Sequence, residues 1–344
     1  MNKSLTALPG VNVGHSTHLD KLQGCTVVVF DKPYPVAYKA NGGTARIYDS
    51  NIMDDGKSYP RKHAIYISDG GHAGLETAAE IAQALREKGI GWNIEKSIIP
   101  SLTGGTVMTL GLKTSKFSTK YGHEAVQNIS KDEVKTGNVG AGTGASVGKF
   151  SWTKDGKCLG MKSGVGSSRI DLGNGVIVAV LTVVNALGNI INNDGSILAG
   201  NRNDEIDKPF RTFEGFSNFL TEKDTNTTIS IVGTNLKIDS QEDLRRIATI
   251  ATHGQVRAVN PINTSIDGDT VFVFTTEEID SYLSPLGKDI AKGDWYKIRI
   301  DILGQAAAKV VQESIYDACH KAETIKLDIG YKGIIPSAKD YLKI

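Results

Sequence analysis

The sequence has little net charge, few cysteines and no long apolar run. Its 39 basic and 38 acidic side chains leave a formal charge of +1 over 344 residues, so no long-range field attracts nucleic acid or anionic lipid. The three cysteines, Cys25, Cys158 and Cys319, are widely spaced and form no CxxC pair. This pattern is typical of reduced thiols in a cytosol-like compartment. We therefore expect no nucleic-acid partner, no disulfide framework and no sulfur-ligated metal.

Membrane and export signals are also missing. The longest uninterrupted apolar stretch, residues 176–184, has nine residues with one threonine among them, whereas about 20 are needed to span a bilayer. The first fifteen residues, MNKSLTALPGVNVGH, carry no apolar segment after their single lysine, as a secretory signal would require. We expect a cytoplasmic protein without a membrane partner.

The chain carries no mark of an internal domain boundary. At about 150 residues per domain, its length is compatible with two domains or with one large one. However, no repeat, low-complexity tract or Pro/Ser-rich linker divides it, and such features usually separate independent units. We expect a single domain over residues 1–344. The 38 glycines predict many tight turns.

Short β-branched runs predict buried strands at several places in the chain. The clearest are CTVVVF at 25–30, HAIYIS at 63–68 and DTVFVFTT at 269–276, each bounded by glycine or charged residues. Another strand is expected to begin at Thr227 or Thr228. A hairpin is expected around Asn174-Gly175, because this dipeptide separates two strand-like runs.

Three helices are expected among these strands. One follows the strand at 63–68 and stops at Gly89, and a second begins after a capping pair formed by Ser240 and Asp243. A third extends over about 298–322, where apolar residues recur on one side. Because strands and helices do not alternate strictly, the sequence predicts an α+β architecture in which sheets pack beneath helices.

The glycine-rich segment 140–149, GAGTGASVGK, resembles a phosphate-binding loop but does not satisfy the pattern. Phe150 follows Lys149, where a P-loop requires Ser or Thr, and Val147 stands where a dinucleotide fingerprint requires glycine. ATP or NAD binding is therefore disfavoured. One interpretation is a turn with Lys149 as a surface charge. The other interpretation is an ammonium buried by the small apolar residues around Lys149, which would need a polar partner opposite it.

Two further motifs have plain structural interpretations. His15-x-x-His18 is a close histidine pair without an HExxH pattern or a nearby cysteine, so a structural or surface role is favoured over a metal site. Ser146 lies in Gly-Ala-Ser-Val-Gly, which matches the letters of a nucleophile elbow. The preceding segment 135–139 is polar and broken by glycine rather than an apolar strand, so we treat the match as a coincidence.

Five blocks, in order and spacing, resemble one family. They are SDGGHAGLETAAEIAQALREKGIG, GNVGAGTGASVGK, GVIVAVLTVVNALGNII, NTTISIVGTN and HGQVRAVNPINTSIDGDTVFVFTT. They resemble the L-aminopeptidase/D-amino-acid esterase-amidase family, which includes β-peptidyl aminopeptidases and nylon-oligomer (6-aminohexanoate-oligomer) endohydrolases. The similarity starts near Gly10 and continues to the last helix. It implies an αββα sandwich of the N-terminal-nucleophile type.

The resemblance also implies a precursor that cleaves itself before a Ser or Thr. In this chain the cleavage would fall between Asn226 and Thr227, giving an alpha subunit of residues 1–226 and a beta subunit of residues 227–344. Threonine at this position, the preceding asparagine and the later TTEEID segment are more similar to the nylon-oligomer hydrolase branch than to the serine-using aminopeptidases.

The family's remaining functional residues fall on polar positions of this chain. The resemblance implies catalytic roles for the glycine-loop lysine, the asparagine that ends the apolar strand and the acidic pair of DGD, which are Lys149, Asn185, Asp267 and Asp269. The chain departs from the family where substrate binds. In SDGGHAGL, His72 and Ala73 replace small and aromatic residues of the family. Thr109 or Met108 lies near the place where the family commonly has an aromatic residue, and we expect His72 and Thr109 to contact substrate.

These groups would work together as a single-residue nucleophile and base. A threonine hydroxyl needs an adjacent base, and self-cleavage would release the α-amine of Thr227, whose pKa of about 7.7 to 8.0 in model peptides suits that task. Lys149 would lower this pKa by like-charge repulsion. Asn185 would donate to the oxyanion, a contact whose loss costs about 2.7 to 4 kcal/mol in a known enzyme. Asp267 and Asp269 would orient and compensate the ammonium groups.

The sequence thus predicts an amidase that acts on short linear amides, such as 6-aminohexanoate oligomers, or on N-terminal aminoacyl and β-aminoacyl bonds. We expect a small amide or short peptide as substrate, no metal or organic cofactor, and a homo-oligomer, by resemblance a tetramer of αβ units. Two alternatives stay open. One is an inert binding or assembly protein on the same scaffold, suggested by the altered HAGL loop, and the other is an acyltransferase with an N-terminal threonine.

Overall fold

A computed structural model describes residues 2–54, 56–57, 60–150, 159–203, 210–212, 226–280, 295–327 and 333–342. Its strands are β1 (Val11–His18), β2 (Gln23–Ala40), β3 (Ile47–Tyr48), β4 (Arg61–Ser68), β5 (Trp92–Ile94), β6 (Ser97–Ile99), β7 (Leu102–Thr106), β8 (Ser146–Val147), β9 (Met161–Lys162), β10 (Val165–Asp171), β11 (Ile177–Asn185), β12 (Asn189–Ile191), β13 (Ile197–Ala199), β14 (Thr227–Leu236), β15 (Val259–Asn260), β16 (Thr270–Ile279), β17 (Ile325–Leu327) and β18 (Gly333–Ile335). Its α-helices are α1 (Thr77–Glu87), α2 (Tyr121–Gln127), α3 (Gln241–Ala258), α4 (Trp295–His320) and α5 (Ala338–Leu342).

Nine of these strands form the main sheet system, joined through the long strand β2. The order is β10-β11-β14-β16-β2-β4-β7-β3, with β1 also paired to β2. The first half of β2 pairs with β1 and β4, and its last residues pair with β16. A register shift between Val29 and Tyr34 separates the two halves. Strand β2 therefore belongs to both sheets of a sandwich.

Alternating side chains of these strands build the core between the two sheets. Val28, Phe30, Ile65 and Ile67 of the first sheet share one buried cluster with residues of the second sheet, which are Ala179, Leu181, Val183, Ile229, Ile231, Phe272 and Phe274. The neighbouring positions along each strand face outward, because successive side chains point to opposite faces.

Helices cover both outer faces. Val27, Val29 and Tyr66 of the first sheet pack against α1 and α2, and Val178, Val232 and Val273 of the second sheet pack against α3 and α4. The layers therefore follow the order α, β, β, α. This confirms the α+β class and the αββα sandwich that the resemblance implies.

Most predicted elements are present, with different boundaries. The strand runs at 25–30, 63–68 and 269–276 lie within β2, β4 and β16, and β14 begins at Thr227. Strand β2 continues ten residues beyond the apolar run, because its charged and proline-containing middle lies at the bend between the sheets. Asn174-Gly175 does connect two paired strands, β10 and β11.

The predicted helices also form. Helix α1 ends before Gly89, whose φ of +74° suits a residue without a side chain. Ser240 caps α3 by accepting a hydrogen bond from the Asp243 N–H. The last long helix, α4, begins three residues before the expected 298 and ends two before 322.

The sequence-based expectations on thiols and membranes have the following outcomes. Cys25 and Cys319 are buried free thiols, as expected, and Cys158 lies outside the described residues. In the part of the chain that the structure describes, no helix is both long and apolar enough to cross a membrane. The single domain over 1–344 and its two fragments stay predictions.

Candidate active site

The ends of three strands bring the sequence-predicted catalytic residues together. Strand β11 runs antiparallel to β14, and their register places Asn185 opposite Thr227. Strand β14 runs parallel to β16, and just before it a bridge pairs Asn226 with Asp267. One edge of the second sheet therefore holds Asn185 at the end of β11, Thr227 at the start of β14 and Asp267 in the loop before β16.

The peptide bond between Asn226 and Thr227 lies at the centre of this edge. Its carbonyl oxygen accepts two hydrogen bonds, one from Thr227 Oγ1 at 2.5 Å and one from the Gly268 N–H at 2.7 Å. Thr227 is almost fully buried. A Cβ on Gly268 would lie 2.7 Å from Thr227 Oγ1, closer than packing permits, so glycine is required for the Thr227 hydroxyl to keep this position.

The two aspartates of the DGD segment are buried on the same side. Asp269 accepts the Thr228 N–H at 2.6 Å and the Asn263 N–H at 3.0 Å, so both of its oxygens are used. Asp267 accepts the Thr264 N–H through Oδ2, and its Oδ1 has no hydrogen-bond partner among the described residues. Burial, reinforced by Asp267, raises the pKa of Asp269 to about 7.

Lys149 lies among these groups and is held by Asn185. Its Nζ donates to the backbone carbonyl and to the side-chain Oδ1 of Asn185, both at 3.0 Å. The sequence expectation that Lys149 is buried against a polar partner is confirmed. Burial raises the pKa of Asp267 and of Asp69, and Lys149 opposes both shifts. The lysine is therefore electrostatically coupled to carboxylates on two sides.

The amide of Asn185 is fully engaged at its oxygen and partly engaged at its nitrogen. Oδ1 accepts from Lys149 and from the Ser146 N–H at 3.2 Å, and Nδ2 donates to the Met108 carbonyl at 2.9 Å. Since a primary amide carries two N–H bonds, the second N–H of Nδ2 has no hydrogen-bond partner among the described residues. This donor is the group that the expected oxyanion contact would use.

A small cavity of about 140 Å³ opens beside Lys149. The described residues that line it are Met108, Thr109, Leu110, Leu112, Lys113, Ser146 and Lys149. Thr109, expected to contact substrate, is therefore at the cavity wall. His72, the other residue expected to do so, is exposed at the start of the short 3₁₀ segment Ala73–Glu76 and is not among the lining residues.

Sequence reasoning missed two residues of this region. The first, Asp69, directly follows β4 and binds Thr109. Its position as a charged residue at the end of an apolar strand is the sequence signal that could have identified it. Ser146 lines the cavity in β8, and its Oγ is buried without a hydrogen-bond partner among the described residues. It was noticed only for its nucleophile-elbow letters.

The chemistry suited to this arrangement is acyl transfer. The edge of the sheet that holds the Asn226–Thr227 peptide bond also holds a hydroxyl, an ammonium, a side-chain amide and two carboxylates, which are the kinds of group that such chemistry uses as nucleophile, charge partner and oxyanion donor. In the described residues, no group of three or more His, Cys, Asp or Glu side chains is arranged to hold a metal ion.

Comparisons with known proteins agree with this chemistry. An aminopeptidase of Mycobacterium leprae is 26% identical over 97% of this chain and 95% of its own length. The 6-aminohexanoate-oligomer endohydrolase of a Kocuria species is 28% identical over 90% of this chain and 84% of its own length. The L-aminopeptidase D-Ala-esterase/amidase of Ochrobactrum anthropi, a variant of the Ntn hydrolase fold, superposes with a TM-score of 0.68 at 16% identity, covering 99% of this chain and 92% of that one.

The family assignment rests on a match that spans nearly the whole chain. Residues 3–332 match peptidase family S58, and the fold of the Ochrobactrum enzyme agrees with the layer order described above. The protein is a hydrolase and belongs to peptidase family S58.

Proposed function

We propose that this chain cleaves itself between Asn226 and Thr227 and then hydrolyses short linear amides with Thr227 as its N-terminal nucleophile. The observation that carries the proposal is the position of Thr227 Oγ1, 2.5 Å from the carbonyl oxygen of the bond that precedes it. Lys149, Asn185, Asp267 and Asp269 supply the surrounding charges and hydrogen bonds.

Self-cleavage begins with attack of Thr227 Oγ1 on the Asn226 carbonyl carbon. Negative charge develops on the carbonyl oxygen, where the Gly268 N–H at 2.7 Å is already in place to stabilise it. The C–N bond then breaks, an ester forms at Oγ1, and the hydroxyl proton is transferred, in net terms, to the Thr227 nitrogen. Water hydrolyses the ester, which leaves the Asn226 carboxylate and restores the hydroxyl beside a free α-amine.

In the mature enzyme the free amine of Thr227 serves as the base for its own hydroxyl. The ammonium of Lys149 lowers the pKa of that amine, because two like charges disfavour each other at short range. The remaining N–H of Asn185 Nδ2 donates to the oxyanion formed from the substrate carbonyl. The substrate amine leaves with a proton, and water releases the acyl group from Oγ1 as a carboxylic acid.

The cavity beside Lys149 favours a short, unbranched acyl group. Met108, Leu110 and Leu112 supply apolar lining, and the volume of about 140 Å³ accommodates only a small chain. A 6-aminohexanoyl unit or a short β-aminoacyl unit has a methylene chain that suits such lining. One relative of this chain is named for hydrolysis of 6-aminohexanoate oligomers, which supports this substrate class.

Denaturing electrophoresis with intact-mass analysis tests the proposal. Division of 36.8 kDa over 226 and 118 residues predicts fragments of about 24 and 13 kDa from the wild type. Thr227→Ala should leave one full-length band and no hydrolysis of 6-aminohexanoate oligomers, and Thr227→Ser should retain cleavage, since it keeps the hydroxyl. An active wild type that is uncleaved would refute the mechanism.

Two other outcomes separate the alternative functions. A cleaved protein that releases no amine from aminoacyl p-nitroanilides, β-peptides or 6-aminohexanoate oligomers would be a binding protein on this scaffold. A cleaved protein that passes the acyl group to an added amine in preference to water would be an acyltransferase.

A further inference from the structure

We propose that Asp69 is a positioning residue for the candidate active site. Its carboxylate holds Thr109, and the segment at Thr109 presents the Met108 carbonyl that orients the side-chain amide of Asn185. This inference rests on the proposed function, because Asn185 matters for catalysis only if that function is correct. Asp69 itself contacts neither Thr227 nor the bond at Asn226 in any hydrogen bond of the described residues.

The first link is a pair of hydrogen bonds between Asp69 and Thr109. Oδ1 accepts the Thr109 N–H at 3.0 Å, and Oδ2 accepts the Thr109 hydroxyl at 2.7 Å. Asp69 is completely buried, so these bonds do not compete with bulk water. Thr109 Oγ1 also accepts the Gly111 N–H at 3.2 Å. The backbone and side chain of Thr109 are therefore both fixed.

The second link runs from Met108 to Asn185. The Met108 carbonyl is one peptide unit from Thr109, and it accepts Asn185 Nδ2 at 2.9 Å. An amide group is planar, so a fixed nitrogen also fixes the oxygen. That oxygen accepts Lys149 Nζ at 3.0 Å. If the Asn185 amide were rotated by 180°, its Nδ2 would face Lys149 Nζ, and both are donors. Its Oδ1 would then face the Met108 carbonyl oxygen, and both are acceptors.

The glycine-rich segment leaves the Thr109 region no room to shift. A Cβ on Gly144 would lie 2.4 Å from Thr109 Oγ1, and the Leu110 N–H donates to the Gly144 carbonyl at 3.2 Å. The segment that carries Lys149 therefore packs directly on the segment that Asp69 holds. A displacement of Thr109 would reach Lys149 through Asn185 and through this packing.

The buried carboxylate of Asp69 lies among hydrogen-bond donors and within the electrostatic range of a cation. Burial raises the pKa of Asp69 to about 6 even though the Thr109 hydrogen bonds and Lys149 favour its charged form. The titratable groups that face it are Lys149 and Tyr121. The charged form of Asp69 therefore matches the cationic Lys149 as well as the two Thr109 donors.

The test compares Asp69→Ala with Asp317→Ala, measuring kcat and KM on a 6-aminohexanoate oligomer. Asp317 is a matched control, because it is a partly buried aspartate that accepts a backbone N–H, from Ser167 at 3.1 Å, and burial raises its pKa. Loss of the buried acceptor at Asp69 should lower kcat by about 10- to 100-fold and leave KM within about threefold. Asp317→Ala should keep kcat within about threefold of the wild type.

Two further measurements distinguish positioning from a general fold defect. In the Asn185→Ala background, Asp69→Ala should add little further loss, because residues that act through one another are not additive. Self-cleavage, followed over days by the ratio of bands, serves as the readout where turnover is too slow. Thr109→Val should slow self-cleavage more than Thr109→Ser does, since only the serine keeps the hydroxyl that Asp69 accepts.

The outcomes separate the two proposals. Equal kcat for Asp69→Ala and Asp317→Ala, or full additivity with Asn185→Ala, would overturn the positioning role while leaving the proposed function intact. An uncleaved but active wild type would refute the proposed function itself. If Asp69→Ala does not fold, the two Thr109 variants decide, and equal activity of Thr109→Val and Thr109→Ser would overturn the inference.

Discussion

Two buried lysines lie near each other in the fold but in different chemical surroundings. Lys149 follows β8 and Lys162 ends β9, and these two short strands pair with each other. Lys149 is 4% exposed and Lys162 is fully buried. Lys149 donates to Asn185 and is coupled to carboxylates. Among the residues that the structure describes, Lys162 donates only to backbone carbonyls, those of Gly142 and Ser163.

The difference shows that burial of a charge is not by itself a mark of catalysis. Burial lowers the pKa of Lys162 to about 7, and the buried thiol of Cys319 interacts with it electrostatically. Its contacts tie the glycine-rich segment to the strand region beside it, which is a structural role. Lys149 instead contacts a side-chain amide and interacts electrostatically with two aspartates, Asp69 and Asp267. Such groups can stabilise charge that develops on a reacting substrate.

The largest expected effect comes from Lys149→Met set against Lys162→Met. We expect Lys149→Met to lower the rate of self-cleavage and of turnover by about a hundredfold or more, since it removes a charge that acts in the transition state. Lys162→Met should lower the free energy of unfolding by about 1 to 3 kcal/mol at pH 8, because two buried carbonyls lose their donor. Its turnover should fall less than tenfold. Band ratios, kcat and urea unfolding measure the two effects.

The contrast between a site residue and a packing residue also predicts different self-cleavage rates for two glycine variants, with a smaller difference than for the lysines. A Cβ on Gly268 would meet Thr227 Oγ1 at 2.7 Å, and a Cβ on Gly142 would meet the Val165 nitrogen at 2.5 Å. Gly268→Ala should therefore displace the nucleophile and slow self-cleavage by about 10- to 100-fold, as misplacement of a reacting group does. Gly142→Ala should chiefly lower the thermal midpoint. Equal cleavage rates for the two variants would show that Gly268 is no more important for the reaction than a glycine required only for packing.

The sequence predicted the fold well because its strongest signals are local. The apolar runs at 25–30 and 63–68 and the capping pair of Ser240 and Asp243 depend on neighbours in the chain, and all three elements formed. The extent of β2 was not predictable in this way, because its second half contains Lys32, Pro33 and Pro35. That half is a strand because Tyr34 and Pro35 pair with β4 and residues 36–40 pair with β16.

The candidate site was predictable only in part. The residue spacing alone predicted only that a strand begins near Thr227. The family resemblance was needed to connect Thr227 with Lys149. Asp69 was missed because its significance lies in Thr109, forty residues away. His72 is exposed because the chain turns at Gly70 and Gly71, whose φ values are +99° and +57°. A comparison of sequence motifs with a family does not predict the direction of such a turn.

The smallest expected effect is a pair of opposite slopes in stability against pH. Lys162 has a folded pKa of about 7 and an ordinary pKa of 10.5. Between these values the unfolded chain holds a proton that the folded chain lacks, so Lys162 makes stability rise with pH, by at most about 1.4 kcal/mol per unit. Asp269 has its pKa raised from 3.8 to about 7. The folded chain therefore holds the extra proton between these values, and Asp269 makes stability fall as pH rises.

Urea unfolding from pH 4 to 9 separates the two contributions by difference. Subtraction of the Lys162→Met curve from the wild-type curve should leave a slope that is positive above about pH 7, and subtraction of the Asp269→Asn curve should leave a slope that is negative below it. A Lys162 difference that is flat between pH 7 and 9 would mean that Lys162 keeps its proton in the fold, and the contrast between the two lysines would then have to rest on their partners alone.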